Sequence, residues 1–283
     1  MTAQTADKRL GGATWSARLY ADWRVILAAA RIGLLQLASH PIMLLRAPLT
    51  PVMWLITFVL AYDISGQRTV PTEDVVGFLV IGILAVMAWD CTIWGSGNAL
   101  QSEIYNGTIG TTFAAPARTG AVVVGYGLGR VVWGFTGVAS CLVVGALLGA
   151  RFDVADPLAA VVCLVALYAS TMCVGVGFAG LFILSRQSNA MSNFLQVPTW
   201  LLAGFFVPRT VLPDWLHVVS DAIPLAHAVD ALRAVTLAGS SLADVSHSML
   251  ATALTSLGFL VAGIWSLNHT DNALRKRATL DLL

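Results

Sequence analysis

Charge is scarce in this chain. Of its 283 residues, 11% are Asp, Glu, Lys or Arg, against 57% that are hydrophobic. Soluble domains carry about 25% charged residues, so a soluble globular protein is excluded. The few charges are spread among short loops and sum to +1. No basic patch is left to hold nucleic acid. Cysteine is nearly as rare. Cys91, Cys141, Cys163 and Cys173 all lie inside apolar runs. There they are small hydrophobes, without the paired spacing of a zinc site or a disulfide framework. Period-two alternation is missing and the apolar runs are too long for barrel strands, which excludes a membrane β-barrel. No Ser-His-Asp elbow, paired catalytic acids or aspartate-rich diphosphate site stands out, so no enzyme chemistry is visible. His217 and Asp221, and His227 and Asp230, have helical spacing. Such pairs are common on polar helix faces and Pro224 separates them, so no metal site is expected. The N-terminal region also lacks the compact layout of a signal peptide.

What the chain does have is long apolar stretches recurring along its length. They predict an all-α integral membrane protein with six spans. Residues 1–14 are polar and Gly-rich and read as a disordered tail; residues 15–283 form a single transmembrane domain. Residues 15–38 have helical periodicity, with Trp23, Ile26, Leu27, Ala30, Leu34 and Leu37 on one side and Arg24 and Arg31 on another. That pattern predicts an amphipathic helix lying on an anionic membrane face. The spans are expected at about 42–61, 75–97, 121–149, 158–184, 193–207 and 249–267. Gly175, Gly177 and Gly180 in the fourth span are small enough to let helices approach closely. Asp90 and Arg130 lie inside the second and third spans, and ionisable residues there are functional by default. Each lies about 10–15 Å from the cytoplasmic end of its span, so an ion pair is one reading.

The stretch from Leu201 to Gly239 is not a simple span. Pro208, Pro213 and Pro224 break it into pieces. Between Pro213 and Pro224, Trp215, Val218, Val219 and Ala222 share one helix face, while Asp214, His217, Ser220 and Asp221 share the other. Such a split predicts a short helix half in water and half in apolar surroundings. Pro224 suits the first turn of a second helix and Gly239 its end. A re-entrant helical pair over about residues 208–239 is therefore expected. Twelve of the sixteen Lys and Arg fall on or near the side that holds both termini. The positive-inside rule then places the termini in the cytoplasm and the broken pair on the far side.

These features together resemble a known family. A polar connection holds Glu103, Gly-Thr-Ile-Gly from Gly107 to Gly110, and Pro116. Further on come GFFVPRTVLPDW from Gly204 to Trp215 and PLAHAVDALR from Pro224 to Arg233. With the basic first helix and six spans, this is similar to the permease subunit of type-2 ABC exporters, the daunorubicin-resistance-like class. The resemblance implies a multi-pass protein of the bacterial cytoplasmic membrane that hydrolyses nothing. A cytoplasmic ABC ATPase dimer would bind ATP and Mg, and this chain would carry no cofactor; it has no phosphate loop of its own. A second permease copy or a paralogue would complete a transport path for a hydrophobic or amphipathic drug, antibiotic, lipid or glycolipid.

The same resemblance implies roles for single residues. Glu103, Tyr105, Gly107, Thr108 and Pro116 would form the element coupled to the ATPase, with Arg24 and Arg31 on the second contact. An ordinary loop and a plain membrane anchor are the alternatives. Asp90, Trp94, Trp200, Phe205 and Phe206 would border the substrate path, unless the aromatics are only an interfacial belt. Pro208, Pro213, Trp215, Pro224, Asp230 and Arg233 would shape the re-entrant segment. A secondary transporter or channel driven by an ion gradient is the rival reading.

Overall fold

The computed structural model describes residues 15–38, 41–65, 74–98, 107, 119–184 and 188–280. Among them every regular element is helical. In chain order the helices are α1 (Trp15–Ala38), α2 (Pro41–Ser65), α3 (Val75–Thr92), α4 (Thr119–Leu147), α5 (Pro157–Leu184), α6 (Ser188–Leu202), α7 (Asp214–Asp221), α8 (Pro224–Leu237) and α9 (Ser246–Leu280).

The fold is built around α3. Its sequence is apolar on every side, and a helix of that kind is buried on every side. Nearly all of it from Gly77 to Trp89 is buried, against α2, α4, α5 and α8. Asp74 starts it. One carboxylate oxygen accepts the Gly77 amide at 2.8 Å, and the other accepts the Arg151 amide at 2.5 Å, tying the next hairpin to the same cap. At its far end α3 widens into a π-helical turn, Ile93–Gly97. Asn98 closes that turn, donating from Nδ2 to the Ile93 carbonyl at 3.2 Å and to Ser192 Oγ of α6 at 2.9 Å.

Five helices are long and apolar enough to cross a membrane: Leu45–Ile64, Val75–Ser96, Gly120–Leu147, Pro157–Ala179 and Ser246–His269. They match five of the six expected spans. The exception is α6, with 15 residues and Pro198 inside it. At 1.5 Å per residue it covers about 22 Å, short of a bilayer core of about 30 Å. Pro48 and Pro51 do not interrupt α2. The helix of the last span also runs on to Leu280, well past the expected end at 267.

α1 packs on α4 through small residues and turns the bulky ones of its apolar side outward. Trp23 and Leu27 of the expected apolar side are exposed, whereas Ala29 and Gly33 are buried. The cause is backbone approach. Gly125 and Gly129 of α4 lie directly against Ala29 and Ala30 of α1, and small residues permit that contact where large ones would hold the helices apart. α5 and α9 meet in the same way. A Cβ at Gly263 would sit 2.7 Å from the Gly177 nitrogen, so Gly177 serves the close approach its position suggested.

Candidate functional site

The broken stretch after α6 is where backbone leaves the helical ladder inside the bundle. α6 ends at Gly204, whose φ of +72° is left-handed. The Phe205 amide donates back to the Trp200 carbonyl at 2.9 Å and the Gly204 amide to the Leu201 carbonyl at 3.1 Å, the pairing of a Schellman stop. The carbonyls of Gly204, Phe205 and Phe206 then have no helical donor. Ala203 and Phe205 are fully buried, and non-helical backbone at that depth must find partners within the protein.

Two side chains supply them. Arg233 on α8 donates from Nη1 to the Gly204 carbonyl at 2.6 Å and from Nη2 to the Phe205 carbonyl at 2.7 Å. Tyr62, at the end of α2, donates its hydroxyl to the Phe206 carbonyl at 2.6 Å. The Arg233 guanidinium also stacks on Phe78 of α3, its carbon 3.6 Å from the ring centroid. Carbonyl dipoles and a π face thus carry this buried cation. α3 admits the loop because position 82 is glycine: a Cβ there would overlap the Phe205 carbonyl oxygen.

A second arginine locks the rest of the segment. Pro208 leads into a 3-10 turn, Arg209–Val211. Arg209 donates from Nε to Ser220 Oγ at 2.7 Å and from Nη1 to Asp230 at 2.7 Å, and it also pairs with Asp221. Ser220 passes its own proton to the Leu202 carbonyl at 2.6 Å. One guanidinium therefore joins the end of α6, α7 and α8. His227 Nε2 lies 2.9 Å from the Asp221 carbonyl, a bond made by the Nε2–H tautomer. Asp221 and Asp230 are thus held by a cation already in the protein. Among the described residues no group of three His, Cys, Asp or Glu stands ready for a metal.

The aromatics divide between two places. Phe206 stacks on Phe58 of α2 with centroids 3.9 Å apart, and Trp200 meets Phe206 at 5.7 Å and Trp54 at 5.8 Å, both edge-on. Phe205 is fully buried, and its backbone carbonyl lies against α3 at Gly82. α7 shows its apolar face to the outside of the protein: Trp215 is 71% and Val218 75% exposed, while Ser220 is buried. Pro213 directly precedes α7 and Pro224 occupies the first turn of α8, as their positions suggested.

The remaining sequence candidates lie elsewhere. Asp90 and Trp94 are eight and twelve residues beyond Gly82, at least about 12 Å further along α3. Arg24 and Arg31 are exposed on α1. Gly107 is exposed with φ +70°. Glu103, Tyr105, Thr108 and Pro116 lie outside the described residues. Tyr62, Phe78, Gly82, Arg209 and Ser220 are the structural contributors that the sequence did not single out. Only Arg209 carried a signal, a lone cation among prolines and apolar residues.

The model of the ABC-2 type transporter family matches residues 24–237, from within α1 to the last residue of α8. The chain is an ABC-2 type transporter permease. It is similar to the daunorubicin resistance ABC transporter permease protein DrrB1 of Streptomyces coeruleorubidus, 26% identical over 236 residues that cover 82% of this chain and 79% of the relative. It is also similar to ABC transporter G family member 20 of Dictyostelium discoideum, 22% identical over 208 residues. That match covers 72% of this chain but only 28% of the relative. The match takes in all of the broken segment as far as Leu237. In this ABC-2 permease, then, the two arginine networks lie in the part the family shares, among apolar helices fit to cross a membrane.

Proposed function

We propose that this permease is the membrane-spanning half of an ATP-driven exporter for a hydrophobic or amphipathic molecule. The observation that carries the reading is the family match across residues 24–237. A separate pair of ATPase subunits would bind ATP and Mg and hydrolyse the nucleotide. Their closure would act on the connection from Glu103 to Pro116 and on α1 through Arg24 and Arg31. A second permease, identical or paralogous, would complete the path. Movement would follow by alternating access along the seam between the two copies, with the exposed faces of α2 and α6 nearest it. The named role of the DrrB1 relative in daunorubicin resistance supports a drug-like or lipid-like cargo.

In this reading α6 is the short fifth of six spans, continued by the buried Ala203–Phe206 run. The excess of Lys and Arg at the other end supports a cytoplasmic position for both termini. The pair α7–α8 then roofs the outer end of the path. The exposed apolar face of α7 supports that placement, because Trp215 and Val218 suit a lipid interface.

Reconstitution tests the proposal. Proteoliposomes holding the permease and its cognate ATPase are expected to move a fluorescent amphipathic substrate only when ATP is present. Transport by the permease alone under a proton gradient would overturn it in favour of a secondary transporter.

A further inference from the structure

The π turn Ile93–Gly97 at the far end of α3 is wedged between α4 and α5. Two glycines make room for it. A Cβ at Gly127 of α4 would overlap Ser96 Oγ. One at Gly175 of α5 would stand 3.0 Å from the Thr92 carbonyl oxygen and 3.1 Å from the Ser96 Cβ. Ser96 donates its hydroxyl to Met172 Sδ of α5 at 2.9 Å. Wide turns of this kind are rare and gather at functional positions. Close packing on two sides makes this one resist bending. Asn98 follows it directly. Its amide donates to the Ile93 carbonyl at 3.0 Å, the five-residue step of a π-helix, and its Nδ2 donates to the same carbonyl at 3.2 Å.

The same Nδ2 reaches out of α3 to Ser192 Oγ of α6 at 2.9 Å. Both side chains are buried, so water does not compete for the bond. The first half of α6 has little else to hold it. Among the described residues of α6 only Ser192 and Trp200 are buried, while Phe194 is 75% and Val197 65% exposed. Trp200 is fixed at the opposite end, edge-on to Trp54 and Phe206 and just before the stop at Gly204. α6 is thus pinned at two points, about 12 Å apart along its axis. One pin is the cap of α3 and the other is the broken segment.

We propose that Asn98 and Ser192 are positioning residues for transport: their bond ties α6 to the end of α3, so that a displacement at that end turns α6 and reaches the broken segment through Trp200 and Gly204. Neither side chain has to touch the substrate. The π turn resists bending, so the displacement is not absorbed inside α3. The Ser192 hydroxyl is the point where α6 receives it. The source of the displacement rests on the exporter reading, in which the ATPase acts on the connection that begins after Asn98. The tie between the two helices does not depend on that reading.

The test uses the permease with its cognate ATPase in proteoliposomes and compares the substrate moved per ATP hydrolysed. Ser192→Ala is expected to leave ATP hydrolysis near the wild-type rate and to lower the substrate moved per ATP about tenfold, the factor expected when a buried donor loses its acceptor. Ser192→Thr keeps a hydroxyl and is expected to restore most of the ratio. Asn98→Ala combined with Ser192→Ala is expected to be no worse than the poorer single variant, because both remove one bond. An unchanged ratio in Ser192→Ala overturns the proposal. So does a fall of hydrolysis, transport and folded yield in the same proportion, which would mark a merely structural bond. Hydrogen exchange of the full chain in detergent, without the ATPase, gives a second reading. In Ser192→Ala the amides from Met191 to Gln196 are expected to exchange about tenfold faster, while those around Trp200 keep their rate. Equal exchange in wild type and Ser192→Ala overturns the tie whatever the complex does. A wild-type complex that moves nothing with ATP would sink the exporter reading alone, and the exchange result then decides the tie by itself.

Discussion

Two pairs of arginines sit at opposite ends of α3 and are treated in opposite ways. At the α6–α8 end, Arg233 gives two donors to carbonyls and its face to Phe78, and Arg209 is shared among Ser220, Asp221 and Asp230. At the end where α2 starts, Arg46 and Arg130 have no ion-pair partner among the described residues, and Asp90 keeps an orphan oxygen. The first pair does structural work. Arg233 replaces backbone donors that the chain loses when it stops being helical inside the bundle, and Arg209 ties α7 and α8 to the end of α6. The second pair makes no ion pair among the described residues. The difference shows that an arginine among membrane helices is not informative by itself. Its partners decide whether it builds the fold.

Replacing one arginine from each pair tests this contrast most severely. Arg233→Ala orphans the Gly204 and Phe205 carbonyls, at about 1–3 kcal/mol for each buried group. A loss of about 3 kcal/mol or more is expected, seen as a large fall in melting temperature in detergent and in the yield of folded protein. Arg233→Lys is expected to recover less than half, because an ammonium cannot bridge two carbonyls with a planar fork or stack on Phe78 in the same way. Arg46→Gln in the same detergent is expected to leave the melting temperature nearly unchanged. Equal losses in Arg233→Ala and Arg46→Gln would erase the distinction between the two ends.

Gly82→Ala gives the next largest effect, and it acts on the partner surface rather than on the cation. The new methyl would occupy the place of the Phe205 carbonyl oxygen. The loop must retreat, and the Arg233 bond to that carbonyl stretches with it. Overpacking of this kind costs about 1–3 kcal/mol. Unfolding of Gly82→Ala and of the Gly82→Ala, Arg233→Ala double variant measures the coupling. The double is expected to lose less than the sum of the singles, because both act through one contact. Strict additivity would mean that Gly82 and Arg233 hold the loop independently.

Much of the first end was legible in the sequence, and the reasons are local. Three prolines and a polarity split mark a broken amphipathic stretch whatever surrounds it, and Pro224 and Gly204 act on their own backbone neighbours. The long apolar runs likewise pointed to six spans, five of which are helices long and apolar enough to cross a membrane. What stayed hidden is pairwise and distant. Nothing in the run around Tyr62 points to the Phe206 carbonyl 144 residues away. Arg209 names neither Asp230 nor Ser220 as its partner. Gly82 reads as one small residue in an apolar helix until a foreign carbonyl is seen against it. The packing face of α1 stayed hidden for a related reason: bulky residues dominate the periodicity, yet Ala29 and Gly33 are what lets α1 approach α4. At the other end Asp90 and Arg130 announced themselves as charges in apolar runs.

The smallest expected effect comes from an acid fully in water, which separates a carboxylate held by local hydrogen bonds from those held by arginine. Asp244 precedes α9 and accepts the Ser241 amide at 2.9 Å and the Ser241 hydroxyl at 2.7 Å. These bonds, first the hydroxyl and then the amide, hold its carboxyl below the usual carboxylate range. A carboxyl whose pKa is lower folded than unfolded adds stability above its unfolded value, about 3.9 for Asp. That contribution fades as pH falls through the folded value. Wild type is therefore expected to melt slightly above Asp244→Ala from neutral pH down to about pH 5, with the gap narrowing below pH 4 as the carboxylate takes its proton. Because the site is exposed, the gap remains well under that of Gly82→Ala. A gap that widened in acid would mean that the protonated acid makes the better cap, and that Ser241 does not stabilise the charged form.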